Sequence, residues 1–576
     1  MSRWFRYFSP LLILPAIGLL TGCGSSSSPT QTASSGPVAG GTAVIAMPPD
    51  LSPDGFFPVN STVTYSDINS QVQALMYKPL LDITAKDNIN YDRSLAAKIQ
   101  WNASGTVYTI TLSHKYRWSN GNPVTAQDVV FAWSLMKAAS AANAPWTFGG
   151  AGFGGIPTRW ESVVATNPDT VTVTLNAPSN QQWFIRNGLG QLTPVPKSVW
   201  DKYPNNMTQE LKFVNQLQNN PAAPEYRIVD GPYHFASMAA DRYWSFTPNS
   251  AYGGHKSYLS KVIFQYETSD ASEFTGLKTG IVNLGYLPFS LWDSKSELTA
   301  DKVSHDFLFG FNYMNINMDP TAGFIPHEFS HLYVRQALQM GIDQPGIVQS
   351  FYHSAAVSEF GPLPSKPTTV FDDPALKNPY PFNPKAGLKL LEAHGWTMDK
   401  GVLQKDGHPF DFTILYAEGS TSAADSLQVI THDWQEEGID ASLEPQPANT
   451  AFSVMLGSNQ SKWQMTYFPG GWTYEPDYYP TGGGLFSASA GGNYSHYRSN
   501  TMNHLVKLTY KPVASQAAAL ASLAHYQAWA VHDLPVLWMP YFPSLVVNAD
   551  TLHGVVKAEN PVTDLYYPNY WWESKS

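Results

Sequence analysis

The sequence predicts an α/β protein built in layers, from three observations. Runs such as Tyr108-Thr109-Ile110-Thr111-Leu112 alternate apolar residues with threonine, the period of a half-buried strand. Other stretches place apolar residues at helical spacing, among them Val129, Trp133 and Met136. Strands and helices then take turns along the chain, which favours α/β layers over an all-β sandwich or a bundle. No repeat with a period of roughly 20–50 residues is visible, so neither a solenoid nor a propeller is expected.

The chain opens on a segment that does not belong to the folded body. Arg3 and Arg6 precede an apolar stretch from Leu11 to Leu20, which ends in Leu20-Thr21-Gly22-Cys23. About 20 apolar residues are needed to span a bilayer, so the stretch reads as a secretory signal over residues 1–22 rather than a permanent anchor. The Leu-Thr-Gly-Cys ending resembles a bacterial lipobox, which implies lipidation of Cys23. This is the sole cysteine, so an intramolecular disulfide and a Cys-cluster metal site are both excluded. Residues 24–41 are mostly Gly, Ser, Pro and Thr. They bury too little apolar surface to fold and read as a flexible tether for the lipidated residue 23.

From Thr42 onward the elements follow in order. Gly41 to Met47 reads as a first strand, ended by Pro48-Pro49. After Tyr108–Leu112 comes a helix with Thr125 at its N-cap and Asp128 in its first turn. Val171, Val173 and Leu175 alternate with threonines after an Asn167-Pro168-Asp169 turn. Val334, Ala337, Leu338 and Gly341 recur at helical spacing. A helix from Pro384 to His394 stops at Gly395, and one from about Ser422 to Glu437 stops at Gly438, with a strand from Ile439 to Glu444 behind it.

Charge and motifs exclude several functions. The formal net charge is −11 with no long basic run, which argues against nucleic-acid binding. Aromatic residues make up 14% of the chain, a composition suited to stacking on a ligand as well as to a large core. Gly150 to Gly155 spells GxGxxG but follows no strand, and Pro157 interrupts any helix behind it, so a loop is expected. His327-Glu328-Phe329-Ser330-His331 spells the zincin pattern, in which two histidines on one helical face bind zinc. Pro326 directly precedes it and no clear third ligand follows, so a loop without metal is expected there. No catalytic residue, metal or cofactor is assigned.

The ordered run Trp118-Ser119-Asn120-Gly121-Asn122-Pro123-Val124-Thr125-Ala126-Gln127-Asp128-Val129 resembles the signature of the family 5 extracellular solute-binding proteins, the peptide- and nickel-type receptors of ABC importers. Further blocks follow in that family's order: Asp169 to Leu175, Pro194-Val195-Pro196-Lys197, Asp230-Gly231-Pro232-Tyr233, Val334-Arg335-Gln336-Ala337-Leu338 through Asp343, and Leu390 to Trp396. The resemblance implies a two-lobed periplasmic-binding-protein type II-like fold with an additional domain on lobe I. Carried over, lobe I takes residues 42–75, 198–315 and 535–576, the additional domain 76–197, and lobe II 316–534. It also implies an extracytoplasmic, non-enzymatic receptor, a lipid-anchored monomer that captures a peptide or similar solute between its lobes and hands it to ABC permease subunits. An oligosaccharide is a further ligand class on such a scaffold. The rival readings are a secreted metallopeptidase using His327 and His331, and a solute-binding signalling or chaperone protein without transport.

The resemblance also implies a ligand site. Peptide receptors of the family carry Gly-Trp followed, three residues after the Trp, by an aspartate that pairs with the peptide's α-ammonium. Here Gly471-Trp472-Thr473-Tyr474-Glu475 places Glu475 at that spacing, with Asp477 as the alternative carboxylate. Gly471 and Thr473 match positions whose main chain pairs with an extended peptide, and Trp472 matches a residue lining a side-chain pocket. The competing reading is that this Tyr- and Pro-rich loop is packing alone.

Overall fold

The computed structural model describes residues 36–48, 51–457, 459–488, 490–555 and 560–574. The expected signal segment 1–22, Cys23 and the tether through residue 35 lie outside the described residues. Residues Val38–Ser576 form one compact unit. No helix among the described residues is long and apolar enough to cross a membrane.

Three sheets organise that unit. The first has seven strands in the order Asp301–Asp306, Ser544–Ala549, Leu284–Tyr286, Thr42–Ala46, Lys261–Gln265, Tyr243–Pro248 and Tyr233–Ala239. Its centre is parallel, with Thr42 opposite Lys261 and Ile45 opposite Leu284. The second runs Asp440–Gln446, Asp411–Ala417, Met465–Tyr467, Gly310–Ile316 and Trp472–Thr473, with Leu537–Met539 also paired to Gly310–Ile316. The third is an antiparallel sheet of four strands, Ala96–Trp101, Val107–Leu112, Thr170–Leu175 and Trp160–Asn167. Tyr108, Ile110 and Leu112 point inward and the threonines between them are half-buried, as the alternation requires.

Local chemistry explains why these elements start and stop where they do. The helix Ala126–Ala139 is opened by Asp128, whose Oδ2 accepts from the Thr125 amide at 2.8 Å and the Thr125 hydroxyl at 2.9 Å. The same carboxylate accepts from the Trp118 indole at 3.3 Å and, through Oδ1, from the Lys197 amide at 2.8 Å. The Trp-to-Asp motif is therefore a junction that ties the helix to two loops. In the second sheet, Asp411–Ala417 and Asp440–Gln446 are parallel neighbours joined by the helix Thr421–Glu436. Ser420 caps that helix and Gly438, at φ +81°, turns the chain out of it.

Two findings differ from the sequence reading. The strands Gly310–Ile316 and Leu537–Met539 belong to the second sheet, although the expected lobe edges fall at 315/316 and 534/535. The chain thus crosses between the first two sheets at 307–309 and 540–543. Gly310–Ile316 is buried along its whole length, so alternation could not mark which sheet it joins. The second correction concerns the loop expected around His327, where a short helix, Phe324–Phe329, is found. Pro326 sits in its first turn, where the missing N–H would have had no helical acceptor.

Candidate functional site

A cavity of about 730 Å³ opens beside the two crossings. Leu308 from the first crossing and Phe542 from the second line it, together with Tyr65, Asp67, Phe289 and Asp564. A second cavity of about 100 Å³ shares Tyr65 with it and is lined by Ser70, Gln191, Glu475 and Tyr478. The walls therefore come from the first sheet's segments, the second sheet's loop and the segment that holds Gln191. Neither cavity is lined by a lysine or arginine, whereas Asp54, Asp67, Asp270, Glu273 and Asp564 all face the larger one.

The motif expected to bind ligand forms the edge of the second sheet. Gly471 turns the chain into the strand Trp472–Thr473 at φ +66°, and a Cβ there would stand 2.1 Å from the Phe311 carbonyl oxygen. Phe311 pairs with Trp472 and Gly310 with Thr473, antiparallel, and the Tyr474 amide donates to the Phe309 carbonyl at 2.8 Å. In an antiparallel ladder hydrogen-bonded positions alternate, so the N–H and C=O of Thr473 point away from the sheet at its open edge. Trp472 is half-buried, and its indole N–H has no hydrogen-bond partner among the described residues.

Glu475 reaches the smaller cavity and meets two further carboxylates that no local pattern announced. One oxygen each of Asp67, Glu475 and Asp564 lies within 4.8 Å of the other two. Asp67 comes from the first turn of the helix Asp67–Met76 and Asp564 from the C-terminal loop. Glu475 Oε2 is buried without a hydrogen-bond partner among the described residues. Burial pushes the Glu475 carboxyl well above its ordinary range, Asp67 adds to the rise, and a hydrogen bond from Ser70 opposes it. Such a cluster favours protons when empty and a cation when filled.

Asp477 has a different place from the one the sequence allowed. It is buried, and its Oδ1 accepts from Asn187 Nδ2. The same Asn187 side chain donates to the Tyr479 carbonyl at 2.9 Å and accepts from the Tyr479 amide at 2.7 Å. Gln191 Nε2 adds a bond to the Pro476 carbonyl at 3.0 Å. Burial raises the Asp477 carboxyl to about 7, with the Asn187 bond pulling it down. Asp477 thus fastens the loop to the segment 187–191 and lines neither cavity. Of the two candidate carboxylates, the structure brings Glu475 alone to the cleft.

The family profile described as bacterial extracellular solute-binding proteins, family 5 Middle, matches residues 90–494. The chain is 22% identical to the oligopeptide-binding protein AppA of Bacillus subtilis (strain 168) over 576 residues, 98% of each chain. The solved structure of Bacillus subtilis AppA in complex with a nonapeptide is similar at a TM-score of 0.74 and 20% identity, covering 94% of this chain and 100% of that one. The periplasmic binding protein DppA from Helicobacter pylori, in complex with the peptide STSA, is similar at a TM-score of 0.71 and 20% identity, covering 93% and 99%. These likenesses show the type II periplasmic-binding-protein fold.

Proposed function

The chain belongs to the bacterial extracellular solute-binding proteins of family 5, and on that premise we propose that it captures a peptide by its amino end and delivers it to an ABC-type permease. The family is one of receptors that act outside the cytoplasm. The observation that supports a peptide is the pairing of Glu475, beside Asp67 and Asp564, with an open strand edge at Thr473. An α-ammonium would neutralise the carboxylate cluster, and an extended main chain would add to the edge whatever its side chains. Phe289, Leu308 and Phe542 in the adjoining cavity offer apolar surface to those side chains. The crossings at 307–309 and 540–543 are the hinge about which the lobes close over ligand, excluding water and strengthening the charge pairing. Lipidation at Cys23 would hold the receptor at the membrane, within reach of the permease.

The test uses peptides that native mass spectrometry finds on the purified protein, compared by calorimetry with their N-acetylated forms. Acetylation removes the cation and leaves the main chain intact, so affinity should fall by about tenfold or more. Equal affinity for free and acetylated peptide refutes the amine-binding role and favours an uncharged ligand such as an oligosaccharide.

A further inference from the structure

We propose that His327, Glu328 and His331 form a binding site for a borderline divalent transition metal of the zinc class, separate from the solute cleft. The segment lines neither cleft cavity. His327 lies in the helix Phe324–Phe329, and His331 stands at the N-cap position of the next helix, Leu332–Met340. The junction between the two helices brings the rings together, with centroids 5.2 Å apart. One ligand atom from each of the three residues lies within 4.8 Å of the others. His327 Nδ1 is 3.8 Å and His331 Nε2 is 4.0 Å from the same oxygen, Glu328 Oε1. Ligand atoms about a tetrahedral zinc with bonds near 2.1 Å stand roughly 3.4 Å apart. Small rotations of the two imidazoles, whose side chains are 50% and 43% exposed, would close that gap.

The surroundings prepare Glu328 as a ligand. It is buried, and its other oxygen, Oε2, accepts from Lys405 Nζ at 2.9 Å and from the Tyr333 hydroxyl at 2.8 Å. These bonds fix the carboxylate with Oε1 turned to the histidines, as outer-shell donors orient a metal-bound carboxylate. Arg335 fixes the junction by donating to the carbonyls of Phe329 at 2.9 Å and Ser330 at 2.8 Å. The Ser330 and His331 amides close the turn onto the His327 and Glu328 carbonyls. Two imidazoles and one carboxylate suit zinc, nickel or copper(II) rather than magnesium or calcium. Three protein ligands leave a coordination position for water. A zincin-type hydrolysis does not follow, because a zincin needs its glutamate free as a base whereas Glu328 is here a ligand tied to Lys405 and Tyr333.

The experiment titrates the chelator-stripped full chain with Zn²⁺ by calorimetry and with Co²⁺ by visible absorption. The wild type should bind one equivalent through this site, and His327→Ala/His331→Ala should weaken binding by at least about tenfold. Glu328→Gln should weaken it as well. The exposed pair His432 and Glu436, 3.7 Å apart, provides the control: His432→Ala should bind as the wild type does. Unchanged affinity in the double variant, or loss in His432→Ala instead, overturns the proposal. The exposed histidines can be removed without touching the core, and peptide binding in the same samples reports that the fold and cleft are intact.

Discussion

Replacing Glu475 by Gln should move ligand affinity and unliganded stability in opposite directions. A buried oxygen of this carboxyl has no hydrogen-bond partner among the described residues, and the carboxyls of Asp67 and Asp564 stand beside it. Burial raises the Glu475 carboxyl, and a like charge about 5 Å away, worth roughly 3 kcal/mol of repulsion at an effective dielectric of 20, adds to the rise. Its folded pKa lies above its unfolded value. The folded state therefore holds the extra proton, and stability is lost as pH rises through the interval between the two values. Glutamine removes that loss, and the unliganded Tm at neutral pH should rise by roughly 1–3 °C. A bound ammonium, by contrast, gains about 1.5–3 kcal/mol from a charged partner. Asp67 and Asp564 remain in the variant, so the affinity loss should sit near the low end, about tenfold. Ionising Glu475 on binding also releases a proton. Calorimetry in two buffers of different ionisation enthalpy should detect that release in the wild type and find it reduced in Glu475→Gln. Equal affinities, or equal proton release in both proteins, would refute the assignment of Glu475 as the amine partner.

Asn187→Ala leaves the Asp477 carboxyl and the Tyr479 amide buried without their partner, which should cost about 2–4 kcal/mol of unfolding free energy in a denaturant titration; an unchanged midpoint would mean that the clamp on the loop at 475–479 is not formed. Burial raises Asp230 and Glu273 to about 8 and Asp477 to about 7. Each is an acid whose folded value exceeds its unfolded one, so the unliganded protein should lose stability as pH rises from about 4 to 8; a Tm profile that climbs over that range contradicts the burial of these groups. Cys23→Ala should abolish lipid incorporation and release the protein from membranes, and a variant that still partitions with detergent-extracted membrane would point to another anchor.

How much of this was legible depends on the distance over which each contact is made. The Thr125–Asp128 cap, the strand at Val107–Leu112 and the turn at Gly438 are settled within a few residues, and the sequence alone places them. The short helix at Phe324–Phe329 replaces the expected loop because a proline in a first turn displaces no helical hydrogen bond. The sheet that Gly310–Ile316 joins is illegible for another reason: a strand buried on both faces has no alternation to show which sheet it enters. The loop that holds Glu475 and Asp477 separates the two regimes most sharply. Glu475 and Asp477 are the same chemistry two residues apart, and a spacing rule cannot choose between them. What chooses is Asn187, nearly 300 residues upstream, which takes Asp477 into the packing. The carboxylates that join Glu475 come from opposite ends of the chain. The Gly471-Trp472-Thr473 motif is thus visible in the sequence, whereas the carboxylate cluster around Glu475 is assembled by the tertiary fold. Relatives that keep the Gly-Trp-Thr edge but change position 67, 187 or 564 should therefore bind extended ligands with altered preference for the terminal amine.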